Sequence, residues 1–310
     1  MAPRRKTFRL ELPSRPLLLG QRTLLMGVLN VTPDSFSDGG KFFDPQRAIM
    51  HALEMERAGA DLLDIGGEST RPGSTGTPAD TELARILPVL ESLRGVLKIP
   101  ICVDTRKSQV AEAAVSAGAQ VINDISALRH DPRIAEVAQQ RCVPLILMHM
   151  RGEPQTMQKK AFARDVMKDV TRGLRTAISE ARRAGVRKSQ IIVDPGIGFG
   201  KSLEQNYELL RKLPEIAKLG YPLLVGTSRK GFLGATLARN GQAAPAEERI
   251  WATAATVTAS ILGGAHIVRV HDVAEMVQVA HTADCLLSPK TRLELDLSAR
   301  SAAGRAGRKL

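Results

Sequence analysis

The chain has 310 residues, enough for one large domain or two average ones, and its hydrophobic content of 43% is ordinary for a globular protein with a sizeable core. Only 3% of the residues are aromatic, which argues against a surface that stacks single-stranded nucleic-acid bases. The net charge of +12 is concentrated in residues 1–22 and 288–310, a pattern typical of solvated basic tails, so we expect no nucleic-acid partner.

In chain order, residues 7–19 are predicted to form a β-hairpin, and eight short apolar runs follow, each of which predicts a strand. The predicted strands are Leu24–Val31, Leu62–Ile65, Ile99–Val103, Gln120–Ile122, Val143–Met148, Ile191–Val193, Leu223–Val225 and Ala265–Val268. Segments with helical periodicity, such as "DPQRAIMHALEMERAGA" and "RKSQVAEAAVSAGA", lie between them. Glycines stand at the predicted helix ends, where a left-handed residue is favoured: Gly59, Gly118, Gly185 and Gly220.

The alternation of strands and helices indicates an α/β fold with a parallel sheet. The strands are nearly continuous apolar runs, as expected when both faces of a sheet are buried. Eight of them predict a single (β/α)8 TIM barrel with the N-terminal hairpin at its floor, and an open doubly wound sheet is the alternative. We therefore expect a hairpin extension over residues 1–23, one barrel over 24–287, and a basic, disordered tail over 288–310.

Residues 250–268, "IWATAATVTASILGGAHIV", carry no formal charge over a length that could span a bilayer. The segment is rich in Ala and Thr and is interrupted by Gly263, Gly264 and His266. We therefore predict a buried helix followed by a strand, with no membrane partner.

Cysteine and histidine usage gives no sign of a disulfide framework or a zinc site. The three cysteines cannot all pair and include no CxxC motif, so we interpret them as reduced, core-filling thiols of a cytoplasmic protein: Cys102, Cys142 and Cys285. The six histidines lack zinc-ligand spacing, and the N-terminus lacks the apolar region of a signal peptide.

Polar side chains follow nearly every predicted strand. In a barrel these strand ends converge on one mouth, the face where barrel enzymes place their chemistry. Local helix capping explains some of them, and we assign that role to Asp124, Asp131 and Asp272. Capping alone does not require polar groups at almost every strand end, and Asp104, Asn123, Asp194 and Lys230 together predict a functional site. The other predicted strands end at or run into further polar residues: Asn30, Asp64, Glu68, His149, Arg269 and His271.

The predicted mouth divides into two chemical sets. Carboxylates, an amide and an ammonium suit a flat heterocycle with ring N–H, amino and carbonyl groups, and they come from Asp104, Asn123, Asp194 and Lys230. Donors suited to an anion come from Asn30, Arg71, Arg269 and His271. The planar guanidinium of Arg can form bidentate hydrogen bonds to phosphate oxygens. The sequence therefore predicts a site for a heterocycle that bears a phosphate or pyrophosphate.

The segment "PGIGFGKS", residues 195–202, nearly matches the phosphate loop GxxxxGK[ST]. Pro195 stands where the first glycine is needed, and it has a fixed φ and no N–H to donate. We interpret the glycines instead as allowing a tight turn beside a ligand.

These segments together carry a resemblance to the bacterial dihydropteroate synthase family of folate biosynthesis. "GVLNVTPDSFSDGG" and "DIGGESTRPGS" are similar to its two signature loops. "VDT", "IND", "MHMRGEPQTMQ", "DPGIGFGK", "GTSRKGF" and "RVH" follow in the family's order, and the likeness covers roughly residues 24–285.

The resemblance implies that 6-hydroxymethyl-7,8-dihydropterin pyrophosphate condenses with para-aminobenzoate, giving 7,8-dihydropteroate and pyrophosphate. It implies pterin binding by Asp104, Asn123, Ile125, Met148, Asp194 and Lys230. It implies pyrophosphate binding by Asn30, Thr70, Arg71, Arg269 and His271, with Asn30 also a ligand of Mg2+. It places para-aminobenzoate against Phe36, Thr70, Pro72, Phe199 and Ser228.

The same resemblance suggests a homodimer and candidate inhibition by sulfonamides, which mimic para-aminobenzoate. We assign the catalytic roles to Asp34, Asp104, Asp194 and Lys230. The loops of residues 30–43 and 66–79 are predicted to act as lids that exclude water from a cationic intermediate. Two alternatives stay open: a pterin-binding methyltransferase acting on methyltetrahydrofolate, which lacks the pyrophosphate machinery, and a barrel that only binds pterin.

Overall fold

The computed structural model describes residues 5–32, 45–69, 74, 76–153, 155–157 and 162–287. The basic tail predicted over residues 288–310, most of the first predicted lid (residues 30–43) and part of the second (residues 66–79) lie outside these ranges.

Ten strands form two sheets within the described residues. The first sheet is an antiparallel pair, β1 (Phe8–Leu10) and β2 (Leu17–Leu19), as predicted for the hairpin. The second consists of β3 (Leu24–Asn30), β4 (Leu62–Gly66), β5 (Ile101–Asp104), β6 (Val121–Asp124), β7 (Leu145–Met148), β8 (Ile191–Asp194), β9 (Leu224–Val225) and β10 (Ile267–Val270). Every pairing in it is parallel.

The eight parallel strands close into a barrel. Their hydrogen-bonded order is β8-β7-β6-β5-β4-β3-β10-β9, which leaves β8 and β9 as the two remaining edges. Val193 and Leu223 form a parallel bridge across this gap, and the Val193 N–H donates to the Pro222 carbonyl at 3.0 Å. The TIM barrel prediction is therefore confirmed, and the open sheet is wrong.

Helices surround the barrel and connect successive strands. They are α1 (Pro45–Arg57), α2 (Ala79–Leu93), α3 (Ser108–Ser116), α4 (Ile134–Gln140), α5 (Val166–Arg183), α6 (Leu203–Arg211), α7 (Leu213–Ala217), α8 (Gly231–Thr236), α9 (Ile250–Leu262) and α10 (Val273–Leu287). On α1, the buried residues Ala48, Ala52 and Met55 recur at helical spacing, because one stripe of the helix faces the strands.

The main core lies between the strands and the helices. Outward-facing strand residues such as Leu25, Leu63 and Val103 contribute to it together with the apolar stripes of the helices. The inward-facing residues form a second core, so both faces of the sheet are buried and the strands read as continuous apolar runs.

The hairpin closes the amino end of the barrel. Leu10, Leu12 and Leu19 pack against inward-facing strand residues, among them Met26 and Leu62. The predicted position of the hairpin at the barrel floor is thus confirmed.

Two basic residues near the N-terminus form ion pairs with the barrel, and one of them is buried, contrary to the prediction of a solvated tail for this part of the chain. The Arg5 guanidinium is buried and forms an ion pair with Asp284 of α10. Arg22 pairs with Asp61 just before β4. These contacts tie the N-terminal segment to the barrel, because an unpaired buried charge would be strongly destabilising.

Residues 250–268 form a helix and a strand, α9 and β10, as predicted. Among the described residues, no helix is long and apolar enough to cross a membrane. The prediction of core-filling cysteines holds for Cys102, which is buried, but not for Cys142, which is exposed.

Candidate active site

Backbone pairing aligns the carboxyl ends of the barrel strands. Asn30 on β3 pairs with Gly66 on β4, and Gly66 pairs with Asp104 on β5. Asp104 in turn pairs with Asn123 on β6. On the far side of the barrel, Met148 of β7 pairs with Asp194 of β8. The register therefore brings these predicted site residues to one rim.

A buried guanidinium–carboxylate cluster lies at the centre of this rim. Arg269 on β10 donates through Nε to Asp64 Oδ2 at 2.6 Å and through Nη2 to Asp104 Oδ2 at 2.9 Å. Asn123 Nδ2 donates to the same Asp64 oxygen at 3.1 Å. Arg269 is therefore held by two carboxylates inside the mouth.

Burial opposes ionisation of the carboxylates at the rim. Burial and the neighbouring Asp64 raise the pKa of Asp104 to about 7, although Arg269 acts in the opposite direction. Burial also raises the pKa of Asp194 to about 6, while the Gly196 N–H, which donates to Asp194 Oδ1 at 2.7 Å, lowers it. Solvent and neighbouring positive charges therefore stabilise the charged forms of these two carboxylates only in part.

Lys230 supplies an ammonium at the mouth, in the loop after β9. Its Nζ lies 3.8 Å from the centre of the Phe199 ring, a cation–π contact. Burial and the positive charge of Arg269 lower the pKa of Lys230 to about 7, whereas Asp194 and Asp104 raise it. The ammonium therefore lies in a site where an additional anionic or hydrogen-bond-accepting ligand stabilises its charged form.

A polar pair adjoins this cation. The Ser228 hydroxyl lies 3.0 Å from His271 Nδ1, and it accepts the His271 backbone N–H at 3.2 Å. Burial, followed by the charge of Arg269, lowers the pKa of His271 to about 3, so the imidazole is neutral at pH 7 and offers one N–H donor. Six predicted residues line a common cleft: Asn30, Phe199, Ser228, Lys230, Arg269 and His271.

An apolar wall completes the site. Ile125 and Met148, both predicted to pack near a ring, form a buried cluster with Phe199, Met150 and Met157. This cluster is separate from the two barrel cores. An apolar wall beside carboxylates, an amide and an ammonium suits a flat, polar-edged ring.

Comparison with known proteins agrees with this geometry. The family described as "Pterin binding enzyme" matches residues 26–271. The chain belongs to the pterin-binding enzyme family. Within the family it is 49% identical, over 267 residues, to a dihydropteroate synthase of Synechocystis sp., covering 86% of this chain and 91% of the relative.

Solved structures of pterin-binding enzymes share the fold of this chain. A Xanthomonas albilineans dihydropteroate synthase with 4-aminobenzoic acid is 41% identical, with a TM-score of 0.84 over 91% of this chain and 99% of that one. A Yersinia pestis dihydropteroate synthase, solved as a sulfonamide drug complex, is 40% identical, with a TM-score of 0.82 over 92% and 100% of the chains. The family resemblance and the barrel fold inferred from the sequence are confirmed.

Lys201, the lysine of the near-match to a phosphate loop, is buried and faces the backbone. Its Nζ donates to the carbonyls of Gly196 and Phe199 at 2.8 and 3.0 Å and to the His149 carbonyl at 3.1 Å. Gly196 has a positive φ of 65°, and a Cβ there would overlap the His149 carbonyl oxygen. The segment is therefore a tight turn, as expected from its glycines. The Lys201 ammonium stabilises this turn through its hydrogen bonds to backbone carbonyls.

Asp64 is the principal site residue that the sequence analysis left out of the binding sets. It is fully buried and contacts both Arg269 and Asn123. A usable signal was present, since Asp64 lies two residues after the inward-facing Leu62 and must share its face of the strand.

The three carboxylates predicted to act as local caps divide into two groups. Asp124 accepts from the backbone N–H groups of Ser126 and Leu128, and Asp131 accepts from the Arg133 N–H just before α4. Asp131 also accepts from the Ser108 N–H at the start of α3, a long-range contact that the prediction did not include. Asp272 instead forms an ion pair with Arg229, which the capping interpretation did not include. This ion pair forms because the Arg229 side chain, in the loop after β9, lies against Asp272 in the loop after β10.

The donors at the mouth fit a hard cation better than zinc. Within the described ranges, no group of three or more His, Cys, Asp or Glu side chains is arranged to hold a metal ion. Asn30 presents an amide oxygen at the cleft, and Mg2+ is satisfied by one or two protein oxygens when water and phosphate oxygens supply the rest. The residues present therefore fit a cation that binds together with a phosphorylated substrate.

Five predicted site residues lie outside the described residues, and their roles stay predictions. They are Asp34, Phe36, Thr70, Arg71 and Pro72.

Proposed function

We propose that this protein is a dihydropteroate synthase that transfers a pterinylmethyl group to an aromatic amine in folate biosynthesis. It condenses 6-hydroxymethyl-7,8-dihydropterin pyrophosphate with para-aminobenzoate and releases 7,8-dihydropteroate and pyrophosphate. The observation that carries the proposal is the arrangement of Asp104, Asn123 and Asp194 around a buried mouth that also holds Arg269 and Lys230. The identity of the chain to named synthases over most of its length supports it.

The pterin ring would occupy the buried part of the mouth. Asp104 and Asp194 accept hydrogen bonds from its ring N–H and amino groups, while Asn123 and Lys230 bond its carbonyl and ring nitrogen. The burial of both carboxylates supports this assignment, because hydrogen bonds between a buried carboxylate and the N–H groups of a flat heterocycle are stronger than the same bonds in water. Ile125 and Met148 pack against the ring faces.

The pyrophosphate group would lie at the outer part of the mouth, against Asn30, Arg269 and His271, with Thr70 and Arg71. Neutral His271 donates one hydrogen bond, and Arg269 can turn from the carboxylates towards phosphate oxygens once the pterin occupies the acidic groups. Asn30 would hold Mg2+, which supplies positive charge that neutralises the leaving pyrophosphate.

The reaction breaks the C–O bond between the pterin methylene and pyrophosphate and forms a C–N bond to the amine. The bonding electron pair leaves with the pyrophosphate oxygen, and the conjugated methylene cation is stabilised by the negative field of Asp104 and Asp194. The amine then attacks as a neutral nucleophile and loses one proton, which the departing pyrophosphate can accept. No strong general base is needed, since an aromatic amine is already unprotonated at pH 7.

The para-aminobenzoate pocket would combine Phe36, Thr70 and Pro72 with Phe199 and Ser228. The contact of Lys230 with the Phe199 ring supports this placement, because it joins the aromatic wall to the pterin end of the site. Sulfonamides would compete for the same pocket.

The protein would act as a homodimer. Trp251 and Leu262 of α9 and Leu286 of α10 are 82%, 36% and 66% exposed on two helices that pack against each other. Large exposed apolar side chains on neighbouring helices are typical of a subunit interface. A cytoplasmic location is supported by the exposed free thiol of Cys142, which suits a reducing compartment. We retain the division into a hairpin extension, residues 1–23, and a barrel, residues 24–287.

The decisive experiment is a pyrophosphate-release assay with each substrate alone and with both together. Release that requires both substrates, with formation of dihydropteroate, is the expected result. Methyl transfer from methyltetrahydrofolate without pyrophosphate release would favour the methyltransferase, and pterin binding without turnover would favour a binding protein. Either outcome contradicts the proposed synthase.

A further inference from the structure

A network of charged side chains lies behind the mouth, apart from the predicted substrate contacts. Glu68, Glu82, Arg106 and Lys107 form it, and their side chains are between 0% and 16% exposed. Lys107 Nζ contacts Glu68 Oε2 at 2.6 Å and Glu82 Oε2 at 2.5 Å. Buried charges of this kind are tolerated only when they are paired, so the network fixes the relative positions of the segments that contribute to it.

Arg106 connects two loops that are not neighbours in the barrel. It follows β5 by two residues, and its Nη2 donates to Glu68 Oε1, in the loop after β4, at 2.8 Å. Its Nη1 donates to Glu153 Oε2, in the loop after β7, at 2.9 Å. The planar guanidinium therefore spans from one loop to the other and holds both at fixed distances.

On one side of Arg106, Glu68 joins the two ends of the loop after β4. Glu68 Oε1 also accepts the Thr77 backbone N–H at 3.2 Å. The Ser74 hydroxyl donates to the Ser69 carbonyl at 2.7 Å. These contacts fix the described residues on the two sides of this loop relative to each other.

On the other side of Arg106, Glu153 leads to the apolar wall of the site. The Glu153 carbonyl accepts the N–H of Met157 at 2.7 Å. Met157 is buried against Ile125, Met148 and Phe199. The position of Glu153 therefore influences Met157, which belongs to the same buried cluster as Phe199 on the para-aminobenzoate side.

We propose that Arg106 is a positioning residue that couples the loop after β4 to the loop after β7 and so fixes Met157 against Phe199, which we assign to the para-aminobenzoate pocket. This inference rests on the proposed synthase activity. The two halves of the bridge differ in strength: the Glu68 side chain is 5% exposed, whereas that of Glu153 is 51% exposed. The Glu153 contact is thus the weaker, more easily opened link, and it can be removed without unfolding the buried network.

The kinetic test uses Glu153→Gln and Arg106→Gln, with Arg141→Gln as the matched control. Arg141 forms an exposed ion pair with Glu112 and lies outside the site, so its variant should match the wild type. We expect Glu153→Gln to raise the KM for para-aminobenzoate up to roughly fivefold, as for loss of a partly exposed pair. The Kd for the pterin pyrophosphate should stay within twofold of wild type. The Arg106→Gln/Glu153→Gln double variant should be no worse than Arg106→Gln, because both changes open the same bridge.

Equal losses for both substrates, or additive effects in the double variant, would overturn the coupling. An unchanged KM for para-aminobenzoate in Glu153→Gln would do the same. If Arg106→Gln fails to fold, Glu153→Gln alone still decides the question.

Amide hydrogen exchange tests the coupling without relying on activity. Glu153→Gln should speed exchange at Thr77, across the bridge, as well as at Met157, whereas Arg141→Gln should change neither. Faster exchange confined to Met157 would overturn the proposal. Absence of pyrophosphate release by the wild type would instead count against the synthase activity, and the exchange result would still decide whether the two loops are coupled.

Discussion

The floor and the mouth of the barrel are built from the same strands but have opposite chemical character. On six strands, a floor residue is followed two positions later by a residue at the mouth, which strand periodicity places on the same inward face. The pairs are Leu62 and Asp64, Cys102 and Asp104, Val121 and Asn123, Ile146 and Met148, Ile192 and Asp194, and Ile267 and Arg269. Five of the six mouth positions are polar, whereas every floor position is apolar or a thiol.

Within the barrel interior, the floor residues therefore contribute mainly to stability and the mouth residues mainly to function. Burying a large apolar side chain at the floor contributes roughly 1.5–3 kcal/mol to stability. At the mouth, burial raises the pKa of Asp104 and Asp194 and lowers the pKa of Lys230, so a ligand that hydrogen-bonds these groups would stabilise their charged forms. The same strand can therefore be changed at one end to alter stability and at the other to alter binding.

The largest expected effect comes from Asp194→Ala at the mouth. Loss of two charge-assisted hydrogen bonds, worth roughly 1.5–3 kcal/mol each, should weaken pterin binding by roughly a hundredfold to ten-thousandfold. Isothermal titration with the pterin pyrophosphate measures this, and thermal unfolding should show little loss of stability. Binding at the wild-type level would contradict the assigned role of Asp194.

Ile192→Ala, two residues earlier on the same strand, should have the reverse effect. Ile192 is fully buried in the floor cluster, and its truncation should lower the free energy of unfolding by roughly 2–5 kcal/mol. Urea unfolding measures this loss, while pterin affinity at a temperature where the variant is folded should remain within about threefold. A large loss of affinity would show that floor and mouth are not independent.

The sequence was sufficient for most of the fold because the barrel leaves a simple pattern. Strands buried on both faces appear as continuous apolar runs, and all eight predicted strands overlap observed ones. The mouth was predictable because parallel strands all place their carboxyl ends on one side. Asp64 is missing from the predicted binding sets because it lies inside the predicted strand Leu62–Ile65 rather than after it.

Long-range ion pairs were beyond prediction. Arg106 contacts residues 38 and 47 positions away, and nothing in its local sequence distinguishes it from a solvated helix-start residue. Arg229 likewise pairs with Asp272, 43 residues later, which made the capping interpretation of Asp272 incomplete. Such pairs depend on how the loops fold back over the rim, and apolar periodicity carries no information about that.

A smaller effect is expected on the pH dependence of the free energy of unfolding, and it arises from Asp104 at the mouth. The pKa of Asp104 is raised from 3.8 to about 7, so the folded state holds this proton more tightly than the unfolded state. Its contribution to stability is therefore greatest below pH 4, falls as the pH rises to about 7, and is constant above that. Asp104→Asn should flatten this slope and increase relative stability at pH 8 by about 2 kcal/mol. This gain is smaller than the raised pKa of Asp104 alone would give, because in the variant Arg269 loses one of its two carboxylate partners.

Urea unfolding of the wild type and Asp104→Asn between pH 4 and pH 8 checks this prediction. Asp194, whose pKa is raised to about 6, contributes a slope of the same sign in both proteins, so the comparison isolates Asp104. A difference between the two proteins that grows as the pH falls would have the wrong sign and would refute the interpretation.

Cys102→Ala should give the smallest effect, and it tests where the boundary between floor and mouth lies. Cys102 is fully buried in the floor cluster, yet burial and the neighbouring Asp64 raise the pKa of its thiol, so the side chain meets both layers. If the boundary lies between residues 102 and 104, removing one sulfur atom should lower stability by about 1 kcal/mol, as for other small core truncations, and leave pterin affinity within twofold. Urea unfolding and titration with the pterin pyrophosphate measure the two quantities. A tenfold loss of affinity would place Cys102 in the mouth, because it would mean that the thiol helps to fix the Asp64–Arg269 pair.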